Sequence, residues 1–176
     1  MKSTVSLGDD RFRLGGIKFS LELVQINCLD RPGECRRTGG LLRLLAERRI
    51  NLAFFFYSPG LPGSLSSFGL EAEEFDQVES ALMGDPDLAP GLETIRPVGT
   101  LTLFPHRSDL TLLGRVLGAW GRSGFPLYGM GTSISTVTIS TDYRLLDQAV
   151  EALKTLLGLP SDTRPQRPEF RVKQVR

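Results

Sequence analysis

The stretch Asp30-Arg31-Pro32-Gly33 has the residue types best suited to hold a small charged molecule. An apolar, partly β-branched run precedes it and apolar residues at helical spacing follow it, which predicts a strand at 21–29 and a helix at 34–48. Asp30 can cap that helix, and Gly33 lets the backbone approach another group closely. A helix N-terminus offers unpaired N–H groups and partial positive charge, so this turn can seat a carboxylate or a phosphate. Capping alone would also explain Asp30.

No residues with catalytic or metal-binding spacing stand out elsewhere. His106 has no cysteine, metal-spaced histidine or acidic pair near it, so we expect a loop residue there. Ser133 and Ser135 lack a recognisable base that could activate a nucleophile. Cys28 and Cys35 are spaced neither as a disulfide framework nor as metal ligands, which favours two reduced thiols. We therefore predict no catalytic residue, no metal site, no cofactor and no enzymatic activity.

The composition is typical of a globular protein. The 176 residues are 40% hydrophobic, and 21 basic against 20 acidic side chains leave a net charge of +1. This balance gives no electrostatic footprint for nucleic acid or an anionic membrane. The aromatic run Phe54-Phe55-Phe56-Tyr57 could stack bases, but no basic surplus surrounds it, which favours core and interface packing. With no apolar run of membrane-spanning length and no signal peptide, we expect a cytoplasmic protein.

The chain repeats itself. Residues 76–82 are echoed 71 residues later by 147–153, and upstream a spacing of 75 places Leu41 and Leu45 over Val116 and Trp120. The spacing changes at the Pro/Gly-rich loop 59–63, where two copies of one fold are expected to differ in length. We interpret the chain as one structural unit present twice.

Each copy reads β-α-β-β-α-β, the ferredoxin-like unit. We predict an α+β fold of two such units, with antiparallel sheets and helices on one face, at residues 18–98 and 99–176. Residues 1–17 form a leader or add a strand to the second sheet; either 12–19 or 170–175 supplies the fourth strand there. The other predicted strands are 50–57, 65–71, 92–98, 100–104, 126–130 and 134–141, and the other helices 74–83, 110–122 and 143–157.

Two motifs carry a family resemblance. Leu29-Asp30-Arg31-Pro32-Gly33, followed by a helix and then Arg49-Ile50-Asn51-Leu52, resembles the signature of ACT domains. Segment 130–140 is similar to the serine-rich second hairpin in the regulatory region of aspartokinases. The second copy departs from the pattern, because 105–109 replaces the turn and Phe125-Pro126 replaces the Ile-Asn pair. The resemblance spans 18–159 without a kinase portion, which implies a free-standing tandem ACT protein.

The resemblance implies allosteric binding of a small molecule, usually an amino acid, where paired units meet. Asp30 would accept the ligand's ammonium group, backbone N–H groups near Gly33 and Glu34 would take its carboxylate, and Asn51 would add a directional hydrogen bond. The turn also contains Arg31 and Pro32, and the other unit would line the groove with Thr132, Ser133, Ile134 and Ser135. Because the second copy lacks the turn, we expect one good site per chain.

Three classes of function remain to be compared. The first is a regulatory module that senses an amino acid. The second is an interaction or dimerisation module of the same fold without a ligand, and an open sheet edge leads us to expect a homodimer in either case. The third is an enzyme, which we discount because the sequence has no phosphate-cradling loop with a catalytic arginine and an asparagine partner.

Overall fold

The computed structural model describes residues 14–60, 62–104, 110–157, 159 and 163–168. In these residues seven antiparallel strands form one sheet. The strands are β1 Gly16–Phe19, β2 Leu23–Asp30, β3 Phe54–Ser58, β4 Ser64–Glu71, β5 Leu92–Phe104, β6 Gly129–Thr132 and β7 Val137–Asp142. The helices are α1 Arg36–Glu47, α2 Ala72–Gly84, α3 Leu110–Ser123 and α4 Leu146–Leu157.

The strand order divides the sheet into two ferredoxin-like halves. The order β3-β4-β2-β5 contains one unit with α1 and α2, and β1-β5-β7-β6 contains the other with α3 and α4. Each helix pair covers its own core. One core lies around Ile26, Phe68 and Phe75, and the other around Phe19, Leu101 and Trp120. The predicted fold class is therefore confirmed.

Strand β5 belongs to both units. We expected two strands, 92–98 and 100–104; this is wrong, because one strand of 13 residues runs through both. Gly99 is needed for close packing rather than for a turn. A Cβ there would lie 2.7 Å from Leu146 and 2.9 Å from Tyr143, so a larger residue would push α4 away from the sheet.

Strand β1 occupies the fourth strand position of the second unit. It pairs with the second half of β5, from Gly16 opposite Phe104 to Phe19 opposite Leu101. Strand β2 then continues along the same edge of β5, so the first unit is inserted after the second unit's strand. Lys18 also bridges Gln166 in parallel. The topology is interleaved, and the competing strand candidate, 170–175, lies outside the described residues.

The helix-free surface of the sheet folds back onto itself. A bulge in β5 places two residues, Arg96 and Pro97, opposite the single residue Val24 of β2, which keeps both apolar faces on the helix side of the sheet. On the other side, Gln25 of β2 accepts a hydrogen bond from Ser140 of β7 at 3.0 Å. A Cβ on Gly131 of β6 would collide with the ring of Phe56 of β3. The two halves therefore meet through their helix-free faces.

Several predicted boundaries shift: β6 begins at Gly129 rather than 126 and β7 at Val137 rather than 134. Two further shifts have local reasons. Helix α1 begins at Arg36 rather than 34, because a separate turn precedes it in which Glu34 N–H donates to the Arg31 carbonyl. Strand β3 begins at Phe54 rather than 50. The chain leaving α1 turns through Arg49, at φ 57°, and Ile50 N–H still donates to the Leu45 carbonyl.

Candidate functional site

Asp30, the centre of the predicted site, is built into the start of α1. Its side chain is buried, with the residue only 2% exposed. One carboxylate oxygen accepts from Arg37 N–H at 2.8 Å and the other from Thr38 N–H at 3.0 Å. Both oxygens are thus used to satisfy N–H groups of the first helical turn, which would otherwise lack partners.

The electrostatic setting of Asp30 suits this capping role. Burial alone would raise the pKa of its carboxyl group, but the hydrogen bonds from Thr38 and Arg37, together with the charge of Arg37, outweigh burial and lower it. Asp30 stays ionised because the helix stabilises its charge. The ammonium-accepting role implied for Asp30 has no support in this geometry, since neither oxygen is turned to a free surface.

The remainder of the predicted turn is open to solvent. The exposed residues are Arg31, Pro32, Gly33 and Glu34. Gly33 has φ 77°, a conformation that glycine adopts without strain. The turn is exposed, but Glu34 N–H already donates to the Arg31 carbonyl at 3.0 Å, so this predicted donor is occupied within the chain.

The other predicted residues lie away from Asp30. Asn51 follows the end of α1, and Asp30 caps its start, so about 18 Å of helix separates them. The predicted hairpin residues are exposed at the turn between β6 and β7: Thr132, Ser133, Ile134 and Ser135. Ser133 Oγ accepts from Thr136 N–H at 3.2 Å, which closes that turn. One chain therefore does not bring the Asp30 turn and Asn51 into one pocket.

Asn51 instead lines a cleft between the two units, with a volume of about 720 Å³. From the first unit it is joined by Glu71 and Glu74, which flank the start of α2. From the second unit come Lys18 and Thr100. Thr136, next to the predicted hairpin residues, also lines it. The cleft contains charged groups of both signs beside apolar walls.

Glu74 has an unusual position in this cleft. Its Oε2 is buried without a hydrogen-bond partner, the one such buried side-chain atom among the described residues. Burial, followed by the charge of Glu71, raises the pKa of Glu74, although a hydrogen bond from the Asn51 backbone acts in the opposite direction. Our sequence interpretation missed Glu74, because a glutamate in the first turn of a helix is the ordinary pattern.

The described residues contain no cluster of histidine, cysteine or acidic side chains that could hold a metal ion. None of the helices within the described ranges has the length and apolar content needed to cross a membrane. His106 and the rest of the turn 105–109 lie outside the described residues.

Comparison by sequence finds no relatives: no protein-family model and no curated protein matches this chain. Comparison by structure finds many. The structure of aspartokinase alpha and beta subunits matches with a TM-score of 0.71 at 16% identity, covering 84% of this chain and 100% of that one. The regulatory subunit of aspartate kinase from Thermus flavus matches with a TM-score of 0.66 at 20% identity, covering 81% and 97%.

A longer chain is also similar over part of its length. E. coli aspartokinase III, in complex with lysine and aspartate, has a TM-score of 0.59 at 16% identity, covering 84% of this chain and 33% of the enzyme. At these identities the likeness shows the fold. The chain has the fold of aspartokinase regulatory subunits, and the resemblance found in the sequence holds at that level.

Proposed function

We propose that this chain is a regulatory module that binds an amino acid where its ACT-like units meet and that it performs no catalysis itself. The observation that carries the proposal is the interleaved pair of units, in a fold that matches structures of aspartokinase regulatory subunits over nearly their whole length. One of the similar enzymes is described in complex with lysine. An amino acid is therefore the ligand class to test first.

The chemistry of the junction between the units supports binding of a zwitterion. Such a ligand needs an anion for its ammonium group and donors for its carboxylate. The cleft between the units supplies Glu74 and Lys18, and Asn51 adds an amide. Charge-assisted hydrogen bonds contribute about 1.5–3 kcal/mol each, so three or four of them can approach micromolar affinity.

Ligand binding is tested by thermal denaturation of the full chain with each of the twenty amino acids. A ligand at 100 times its dissociation constant adds about 2.7 kcal/mol to the free energy of unfolding, which raises the melting temperature by several degrees. A rise with one amino acid or a few chemically related ones is expected. No rise with any of them at 10 mM, where affinities down to the millimolar range are visible, would contradict the proposal.

A second function has its own support. Strand β3 ends the order of the described sheet, and it exposes Phe55 and Tyr57 by 41% and 40%, with Leu65 of the neighbouring strand exposed by 45%. An apolar edge strand of this kind can pair with a second chain. A homodimer that responds to no amino acid would favour a ligand-free dimerisation module. Light scattering distinguishes a dimer from a monomer, because the monomer has a mass of 19.4 kDa.

A further inference from the structure

The cleft at Glu74 has a counterpart on the other side of the molecule, because the two units repeat each other. The 75-residue spacing aligns Gln25 with Thr100 and Tyr128 with Ala53, and the 71-residue spacing aligns Ser140 with Gly69. The aligned residues occupy equivalent places in the structure. Gln25 lies in β2 and Thr100 in the corresponding strand β5, and Gly69 lies in β4 and Ser140 in the corresponding strand β7. Ala53 and Tyr128 come immediately before β3 and β6. The two sides can therefore be compared residue by residue.

On the counterpart side, protein fills the space between the units. Gln25 is fully buried, and its amide donates to the Tyr128 carbonyl at 3.1 Å. Its amide oxygen accepts from Ser140 Oγ at 3.0 Å. The Gln25 side chain thus bridges the two units, and it supplies hydrogen-bond partners to both the Tyr128 carbonyl and the Ser140 hydroxyl.

On the Glu74 side, the corresponding side chains are short. Thr100 stands where Gln25 stands on the other side, and both Thr100 and Ala53 line the 720 Å³ cleft. Gly69 replaces Ser140, and the Phe54 ring covers it. The volume left is within the range of about 300–1,000 Å³ that small-molecule sites occupy. The Gln25 amide therefore closes the counterpart side, whereas the smaller residues on the Glu74 side leave that side open.

The open side also has an unmet need for a hydrogen-bond donor. Glu74 lines the cleft, and its buried Oε2 has no partner, whereas buried polar atoms are nearly always paired in folded proteins. A cationic donor should bind the Glu74 carboxylate more strongly than a neutral donor. The second acidic residue nearby, Glu71, adds to the attraction for a positive charge. Lys18 on the facing unit supplies a positive charge for the opposite end of the ligand.

We propose that the cleft within a single chain is an amino-acid site, in which the Glu74 side chain turns its unpaired Oε2 into the cleft to take the ligand's ammonium group and Lys18 takes the ligand's carboxylate. The ligand replaces the bridge that Gln25 makes on the other side and so links the two units. Apolar residues of the cleft, including Leu21, Leu52 and Phe104, contact its side chain. The ligand class rests on the function proposed above, whereas the location rests on the comparison of the two sides.

The decisive variant is Thr100→Gln, which copies Gln25 into the open side and fills the cleft. An amino acid that stabilises the wild-type chain is titrated into this variant by calorimetry, and binding is expected to be lost. Glu74→Gln keeps the side-chain shape and removes the charge, and it should weaken binding at least tenfold. The matched control is Glu73→Gln on the exposed side of the same helical turn, which should leave affinity unchanged.

The outcomes separate the location from the function. If Thr100→Gln and Glu74→Gln both bind as tightly as the wild type, the ligand lies elsewhere and this inference is overturned while the proposed function stands. If no amino acid binds the wild type, both are overturned. Should Thr100→Gln fail to fold, Glu74→Gln and the exposed Lys18→Met decide the matter, since unchanged affinity in both contradicts the assigned contacts.

Discussion

Asp30 and Glu74 are both carboxylates beside the first turn of a helix, and their surroundings give them opposite properties. Asp30 accepts two backbone N–H groups, which hold its pKa below the ordinary value despite burial. Burial and the charge of Glu71 raise the pKa of Glu74, and one of its oxygens lacks a partner. An added donor would therefore stabilise Glu74 far more than Asp30. The sequence could reveal Asp30, because Pro and Gly follow it, but Glu74 resembles any surface glutamate in the first turn of a helix.

The capping role of Asp30 predicts a loss of stability when its charge is removed. Asp30→Asn should lower the free energy of unfolding by about 2 kcal/mol, because an amide cannot accept from both Arg37 and Thr38. Urea denaturation of both proteins measures the difference, and Glu34→Gln in the exposed turn should change stability by less than about 0.5 kcal/mol. A fully stable Asp30→Asn would contradict the assignment.

The difference in unfolding free energy between the wild type and Asp30→Asn should decrease as the pH is lowered. Because the pKa of Asp30 is lowered on folding, its contribution is fully present above the unfolded value of 3.8. The contribution is lost as pH falls through the lower, folded pKa. The difference in unfolding free energy between the wild type and Asp30→Asn should therefore be constant from pH 7 to about pH 5 and should become smaller below pH 3.8. A gap that widens on acidification would exclude this mechanism.

At the scale of elements, apolar periodicity predicted the helices and strands, but not how the strands face each other across the molecule. Val24, Ile26 and Cys28 alternate toward α1 and α2, which a sequence pattern reveals. Gln25 and Asn27, between them, look like solvent-facing residues, yet Gln25 is fully buried against β7. Alternation identifies the face of a strand that meets its own helices, and it carries no information about contact between two distant units.

The contact between β3 and β6 predicts that Gly131 is required for the aromatic ring facing it. Gly131→Ala should cost about 1–3 kcal/mol of folding free energy, since the new methyl group would collide with Phe56. In a Phe56→Ala background the same change should cost little, and this non-additivity is read from a double-mutant cycle by denaturation. Gly114→Ala is the control, because its Cβ meets no neighbour in α3 and should stabilise that helix. Equal costs in both backgrounds would disprove the contact.

At the scale of the whole molecule, the two units share their central strands. Strand β5 passes from one core to the other, and β1 leads into β2 along its edge. The repeat in the sequence predicted two copies of one fold, and the alternatives for the fourth strand of the second unit were 12–19 and 170–175. Local pattern could not choose between them, because both are short apolar-polar stretches, and only pairing with Leu101 and Leu103 distinguishes β1.

Shared strands predict that the two units unfold together. Trp120, the only tryptophan, reports on the second core, and in a Cys35→Ser variant the buried Cys28 thiol reports on the first. Phe68→Ala, in the first core, should destabilise by about 3–5 kcal/mol and lower the urea midpoint of both signals equally. Phe19→Ala in the second core should do the same. Independent units would instead shift only the signal of the altered core.

Synthesis on the ribosome gives the interleaved order a further consequence. Ser20, just after β1, meets its hydrogen-bond partner Thr100 across 80 residues of chain. At about 10 residues per second, the first strand emerges roughly 8 s before its neighbour is made. During that interval Ile17 and Phe19 lack the residues of β5 and of the second core that bury them in the folded chain.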